Sequence, residues 1–406
     1  MFMQTISVMS KNELLKRARD HYFSLGVKDG AADLCQWNYK YGLAKIHFAQ
    51  EKLGISPNAT FISTPDETIS RNQIRWRSGY GYGGKLTWND REEKLIFVDT
   101  KPNACGMLVG GLDHVPSPVQ ILENVNKTMT QDTYIDDVKV KWDFKKGNHF
   151  IDVFKIESAG SRAGLPRYAF IIHGSCPELR DANEKGPGLY YDVSKTLMDM
   201  CRRIETPFGP ILYLEGADAK EYLEYYEYAK WFAAQKREKV ARLLFGKFLT
   251  ISNPVHQGLY GYSSLLLGAQ SVKEPGEKLF PLALRSDLPA YLVTGRNNLT
   301  DEVIINEGFE KRAKDYGIYH RLANFNALPH GGGYVIPHIC RVLDVTEVKG
   351  ERYFVCEQEN EDAITVLSDP KESQFNYRGK KVVKRMLDLD LGNVEFKLYP
   401  RFILKV

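Results

Sequence analysis

A chain of 406 residues with 43% hydrophobic side chains can bury a large core in one big domain or two. Its 55 Lys and Arg against 51 Asp and Glu leave a formal charge of only +4, which excludes bulk charge as the basis of nucleic-acid binding and leaves local clustering. The six cysteines, Cys35, Cys105, Cys176, Cys201, Cys340 and Cys356, are widely spaced, which favours free thiols over a disulfide framework. No apolar run is long enough to cross a bilayer, and Met1 to Ser10 is too short and polar for a signal peptide, so the cytoplasm is the expected location.

From the N-terminus, residues 1–58 read as a helical part that caps the main body. Lys11 to Lys52 forms one helical stretch, with Leu14, Leu15, Ala18 and Tyr22 at helical spacing and no proline before Pro57. Thr60 to Gly111 changes to glycine-rich turns and short β-rich runs such as Lys94-Leu-Ile-Phe-Val98. Strands follow at Phe150 to Ile156 and Tyr168 to Ile172. A helical insert at about residues 185–250 contains a long element from about Ala219 to Phe248. Tyr222, Tyr225, Tyr226, Ala229, Trp231, Phe232 and Ala233 make its aromatic face, and Lys236, Arg237, Lys239 and Arg242 a basic face expected to be solvated. Short strands resume after Pro254 and run to a terminal strand, Val394 to Val406. With no repeat and no Pro/Ser linker, the expectation is an α+β fold: one large domain over residues 1–406 with mixed β-sheets.

The chemistry-bearing residues are histidines in particular company. Gly147-Asn-His149 precedes a strand, Phe170-Ile-Ile-His173-Gly ends one, and Asn253-Pro-Val-His256-Gln repeats that placement. Pro329-His330 stands before three glycines, and Cys105 lies in Asn103-Ala-Cys-Gly-Met107. Strand ends are where a rigid sheet hands side chains to a site. One thiolate and several imidazoles make a ligand set for a transition ion, and glycines beside them let backbone amides approach a phosphate. Taken singly, each has a plainer explanation. A strand-end histidine is more often a satisfied, partly buried side chain, a lone cysteine a small hydrophobe, and a glycine run a flexible turn.

These segments, in this order, resemble the RtcB-type RNA ligases. Gly79-Tyr-Gly-Tyr-Gly-Gly84 leading to Cys105 looks like that family's approach to its cysteine motif, and Gly147-Asn-His-Phe-Ile-Asp152 is close to its most recognisable segment. His173-Gly-Ser175 and His256-Gln257 fall where its further metal histidines belong, Pro329-His-Gly-Gly-Gly333 matches its nucleotidyl-carrying segment, and Leu398-Tyr-Pro-Arg-Phe-Ile-Leu-Lys405 resembles its last strand. The likeness runs from about Phe61 to the C-terminus.

The resemblance implies a GTP-dependent and manganese-dependent ligase that joins RNA 3′-phosphate or 2′,3′-cyclic phosphate ends to 5′-hydroxyl ends, in tRNA splicing or RNA repair. His330 would carry the guanylyl group, and Cys105, His149, His173 and His256 would hold one or two Mn²⁺ ions. Asn148, Asp152, Gly331, Gly332, Gly333 and Lys405 would contact nucleotide or phosphate. RNA and GTP are the implied partners, with no membrane.

The chain departs from the family at several charges. The family's aspartate three residues before the cysteine is Pro102 here, with Asp99 nearby as a substitute, and the arginine after the histidine-glycine run is Tyr334. The missing carboxylate implies that a second ion is held weakly. Arg71-Asn-Gln-Ile-Arg-Trp-Arg77 offers an RNA contact of arginines and a stacking tryptophan, or equally an edge strand with a solvated basic face. Two other functions remain open: a divergent metal-dependent phosphoesterase or nucleotidyl transferase, and a catalytically degenerate RNA-binding protein.

Overall fold

Ser10 opens the first helix, Lys11–Asp20, with a capping box, its hydroxyl accepting from the Glu13 amide and the Glu13 carboxylate from the Ser10 amide. The structure is a computed structural model that describes residues 9–90, 93–145, 148–159, 164–360 and 362–404. The expected single helix to Lys52 breaks after this first one. Tyr22–Phe23 leave it to pair in parallel with Phe61 and Ile62 at the sheet edge, and a second helix, Gly30–Lys52, starts under the Asp29 cap. Burial of Tyr22, Phe23 and Leu25 outweighs their helical spacing.

The fold is α+β, built on a twelve-stranded sheet that curls into a half-barrel. Apart from that parallel edge pair, its ladders are antiparallel. Val255–Tyr260, Cys105–Leu112, Tyr168–Gly174 and Phe150–Ser158 lie side by side at its centre, and the terminal strand Gly392–Leu404 pairs with the last of these. Period-two alternation divides the core between the two faces. Leu108, Phe170 and Ile172 pack with Val240, Ala241 and Leu244 of the long helix, while Met107, Val109 and Ile171 pack with Leu292 and Leu398 on the other side. Both faces are covered, which is why Phe170-Ile-Ile is apolar without a break.

The long helix spans Gly216–Phe245 and lies across three of these central strands. The segment before it is not helical throughout, as the sequence suggests. Arg202–Thr206 and Gly209–Glu215 form a hairpin, turned at Gly209 (φ 92°), whose second strand pairs with Leu95–Phe97. The aromatic face of the helix is buried as expected except Trp231, which is 46% exposed. The basic face is solvated only in part: Lys239 and Arg242 are exposed as expected, but Lys236 and Arg237 are fully buried. Arg71 to Arg77 is neither an edge strand nor a stacking surface. It holds a short helix, Gln73–Arg77, in which Trp76 is buried against Phe354 and donates to the Ser368 carbonyl. No helix among the described residues is long and apolar enough to cross a membrane.

Candidate metal centre

Four adjacent strands bring the candidate ligands together at one end of the sheet. Cys105 begins its strand, and the turn before it holds Lys101 and Ala104 in the left-handed region (φ 53° each), a local strain that neighbouring structure must sustain. His173 pairs across the ladder with Met107 on one side and Phe150 on the other, so it stands next to the Cys105 strand and just beyond His149. His256 is placed by an irregularity. Val255 pairs with Gly106 and Gln257 with Cys105, so His256 is the extra residue of a β-bulge, which re-aims its ring.

The atoms meet at ligand-like separations. The Cys105 Sγ lies 3.1 Å from His173 Nε2 and 3.5 Å from His149 Nε2, and His173 Nε2 lies 3.2 Å from His256 Nε2. Cys105, His149 and His173 form a compact group that could hold an ion, their donor atoms all within 4.8 Å of one another. The other ring nitrogens confirm the orientation. His173 Nδ1 donates to the Asn148 carbonyl at 2.9 Å, and His149 Nδ1 faces the Asp143 carbonyl at 3.1 Å and carboxylate at 3.0 Å. Both Nε2 atoms therefore face the thiol, the orientation metal-ligating histidines use once deprotonated by an ion. His256 Nδ1 is buried with no partner among the described residues. The donor set fits one divalent transition ion.

Burial opposes the Cys105 thiolate, but the imidazoles of His173, His149 and His256 outweigh it and hold the thiol well below its usual range. Burial likewise opposes a charged His149, yet the Cys105 thiolate and then Asp143 push it up to about 10. His256 is driven down to about 3 by burial, so it stays a neutral imidazole. Asp143 resists burial and is held down to about 2 by His149 and Lys236.

His330 lies beside this group, its ring 4.6 Å from that of His256. Its Nδ1 is 2.7 Å from Asp66 Oδ2, which also accepts from the His330 and Gly331 amides. Gly332 donates to the Ala283 carbonyl. Gly333 has φ 65°, and a Cβ there would lie 2.4 Å from the Asp66 carbonyl, so this turn admits only glycine. A cavity of about 580 Å³ joins His330 and the three glycines to Cys105, His149 and His173. Asn148 and Asp152 also line it, as do Arg71, Arg75, Arg180, Tyr82 and Tyr334. Lys405 lies outside the described residues, as does Gly147.

Asp99, the substitute expected for a carboxylate near Cys105, is not placed to ligate. It is buried, with one oxygen 3.3 Å from Lys45 Nζ and the other accepting from the Leu212 amide. Sequence reasoning also missed Asp66 and Asp143. Two adjacent acids in the β-rich run at Pro65-Asp66-Glu67 are a signal of a buried polar site, but nothing in the spacing ties them to His330.

No family model matches the chain, and no curated protein sequence matches it.

Proposed function

We propose that this protein is an RNA ligase of the RtcB type that works through a guanylylated His330. The observation that carries the reading is the Asp66 and His330 pair at the edge of a thiolate and imidazole cluster, inside a cavity walled by three glycines and several arginines. An acceptor carboxylate at Nδ1 keeps the proton there and leaves the Nε2 lone pair free, which suits a nucleophile.

In this reading His330 Nε2 attacks the α-phosphorus of GTP and pyrophosphate leaves. The guanylyl group then passes to an RNA 3′-phosphate, and a 5′-hydroxyl displaces GMP to form the phosphodiester. A divalent ion, manganese by family likeness, held by Cys105, His149, His173 and His256 would neutralise phosphate charge and make an RNA hydroxyl more acidic. Arg71, Arg75 and Arg180 supply positive charge for phosphates along the cavity wall. Asn148 and Asp152 stand where they can meet nucleotide oxygens.

A metal-dependent phosphoesterase is the second reading, because the same Asp66 and His330 pair can give a proton to a leaving oxygen without forming a covalent bond to phosphorus. Incubation with GTP labelled at the α-phosphate and Mn²⁺ separates the two. Acid-labile, alkali-stable label on the protein is expected for the ligase. Release of hydrolysed product with no labelled protein would assign the phosphoesterase.

A further inference from the structure

The long helix enters the metal centre from behind the sheet through two consecutive charged residues. Lys236 is 0% exposed, and its ammonium meets three oxygens: Asp143 Oδ1 at 2.8 Å, Glu178 Oε1 at 2.9 Å and the Ser175 carbonyl at 3.2 Å. An ammonium has three donors, so the group is saturated. The other oxygen of Asp143 lies 3.0 Å from His149 Nδ1. Arg237, also 0% exposed, donates through Nε to Asn253 Oδ1 at 2.7 Å and through Nη1 to the Gly174 carbonyl at 3.1 Å. Its Nη2 has no acceptor among the described residues and packs on the Cys105 strand, where a Cβ on Gly106 would lie 2.7 Å from it.

We propose that Lys236 and Arg237 are positioning residues for the metal centre, tying together the four segments that carry Cys105, His149, His173 and His256. Lys236 acts on His149 through Asp143 and on the His173 segment through Ser175. Arg237 joins the residue after His173 to Asn253, three residues before His256, and its guanidinium packs against Gly106, next to Cys105. Gly106 is required because the Pro254 carbonyl and the guanidinium together take the space of a side chain. Gly174 is required because Phe144, which lies under the Lys236 ammonium, fills the same space beside it.

Helix-to-sheet packing by itself needs no charge at these positions, since a buried ion pair replaced by apolar side chains of similar volume is often neutral or stabilising. What the charges add is direction. A charge-assisted hydrogen bond fixes an acceptor to within a few tenths of an ångström, and a ligand held by such a partner loses metal affinity when the partner is removed. A ligand set spread over segments tens of residues apart has no local sequence constraint on its geometry, so it depends on a common anchor of this kind.

The inference rests on the metal-centre reading, and cobalt binding tests the two separately. Co²⁺ is titrated into the purified full chain and followed by its thiolate charge-transfer and ligand-field absorption. Lys236→Met and Arg237→Met should each weaken Co²⁺ binding roughly tenfold or more and shift the ligand-field bands. Introduced into a His149→Ala background, Lys236→Met should cost no more than about twofold further, because most of its effect runs through that histidine. Unchanged affinity in folded Lys236→Met, or a full additional loss on His149→Ala, overturns the proposal. If either methionine variant fails to fold, Asn253→Ala removes the acceptor of Arg237 Nε and one longer hydrogen bond to the Ala234 carbonyl, and leaves the buried charges in place. It should still weaken binding, and wild-type affinity in that variant also overturns the role. A wild-type chain that gives no thiolate charge-transfer band with Co²⁺ overturns the metal centre itself.

Discussion

Asp66 and His330 are 264 residues apart in sequence, yet a single carboxylate oxygen of Asp66 takes the His330 ring nitrogen at 2.7 Å, the His330 amide at 3.1 Å and the Gly331 amide at 3.2 Å. One oxygen thus sets both the backbone turn and the tautomer of the ring. Asp66→Asn keeps the shape but can present an amide donor to Nδ1, which would move the ring proton to Nε2 and block attack. If His330 carries the guanylyl group as proposed, labelling should fall by about 100-fold or more in that variant, with the circular dichroism spectrum unchanged. Labelling at the wild-type rate would remove Asp66 from the site.

On the proposed reading, His330→Ala should abolish covalent labelling and leave metal affinity within a few-fold of wild type, because His330 is outside the compact Cys105, His149 and His173 group and only packs its ring beside His256. Label that persists would move the carrier elsewhere, and peptide mapping of the labelled protein would locate it.

Metal stoichiometry follows from Pro102 and Asp99. With the Asp99 carboxylate engaged by Lys45 and the Leu212 amide, and a proline at 102, neither position offers a carboxylate to an ion, so a hard ion such as Mn²⁺ gains no oxygen donor from them. Electron paramagnetic resonance titration should find one tight Mn²⁺ per chain, with a second only when GTP supplies phosphate oxygens. Asp99→Asn should leave both counts unchanged. Two equivalent tight ions without nucleotide would contradict this reading. Zn²⁺ and Co²⁺ should displace the tight Mn²⁺, since thiolate and imidazole donors favour them.

Acid stability should depend on His21, which is not one of the candidate ligands and caps the first helix at its C-terminal end. Burial first, against the hydrogen bond to the Arg17 carbonyl, drives it down to about 4. The unfolded chain therefore binds the proton more readily than the folded one from pH 6.5 downward. Stability contributed by the neutral ring is full above pH 6.5 and is lost as pH falls toward 4. Between pH 6.5 and 5 the loss is about 1.6 kcal/mol for one such histidine. His21→Gln, which cannot charge, should show a flatter dependence of melting temperature on pH over that window. A dependence parallel to wild type would show that His21 titrates normally.

Much of the fold was legible because periodicity is local. The strands at Phe150 and Tyr168, the long helix and the terminal strand appear close to where the apolar pattern puts them. The break at Tyr22 was not, because a two-residue strand is decided by the partner strand at Phe61 and Ile62 rather than by its own neighbours. Lys236 and Arg237 read as a solvated face for the same reason: charge in a helix signals solvent unless distant acceptors are waiting, and Asp143, Ser175, Gly174 and Asn253 are not visible from the helix sequence.

The sequence by itself singled out the candidate residues: Cys105, His149, His173 and His256 at or beside strand ends, and His330 before its glycines. It also determined that Pro102 cannot ligate. Only the tertiary structure decided how these residues meet, with the His256 bulge, the donation of His173 Nδ1 to Asn148, the grip of Asp66 on His330 and the diversion of Asp99 to Lys45. The physical reason is range. Residue type and strand position are properties of a few neighbouring residues, whereas ligand geometry depends on angstrom-scale distances between segments that come together only when the sheet closes its register.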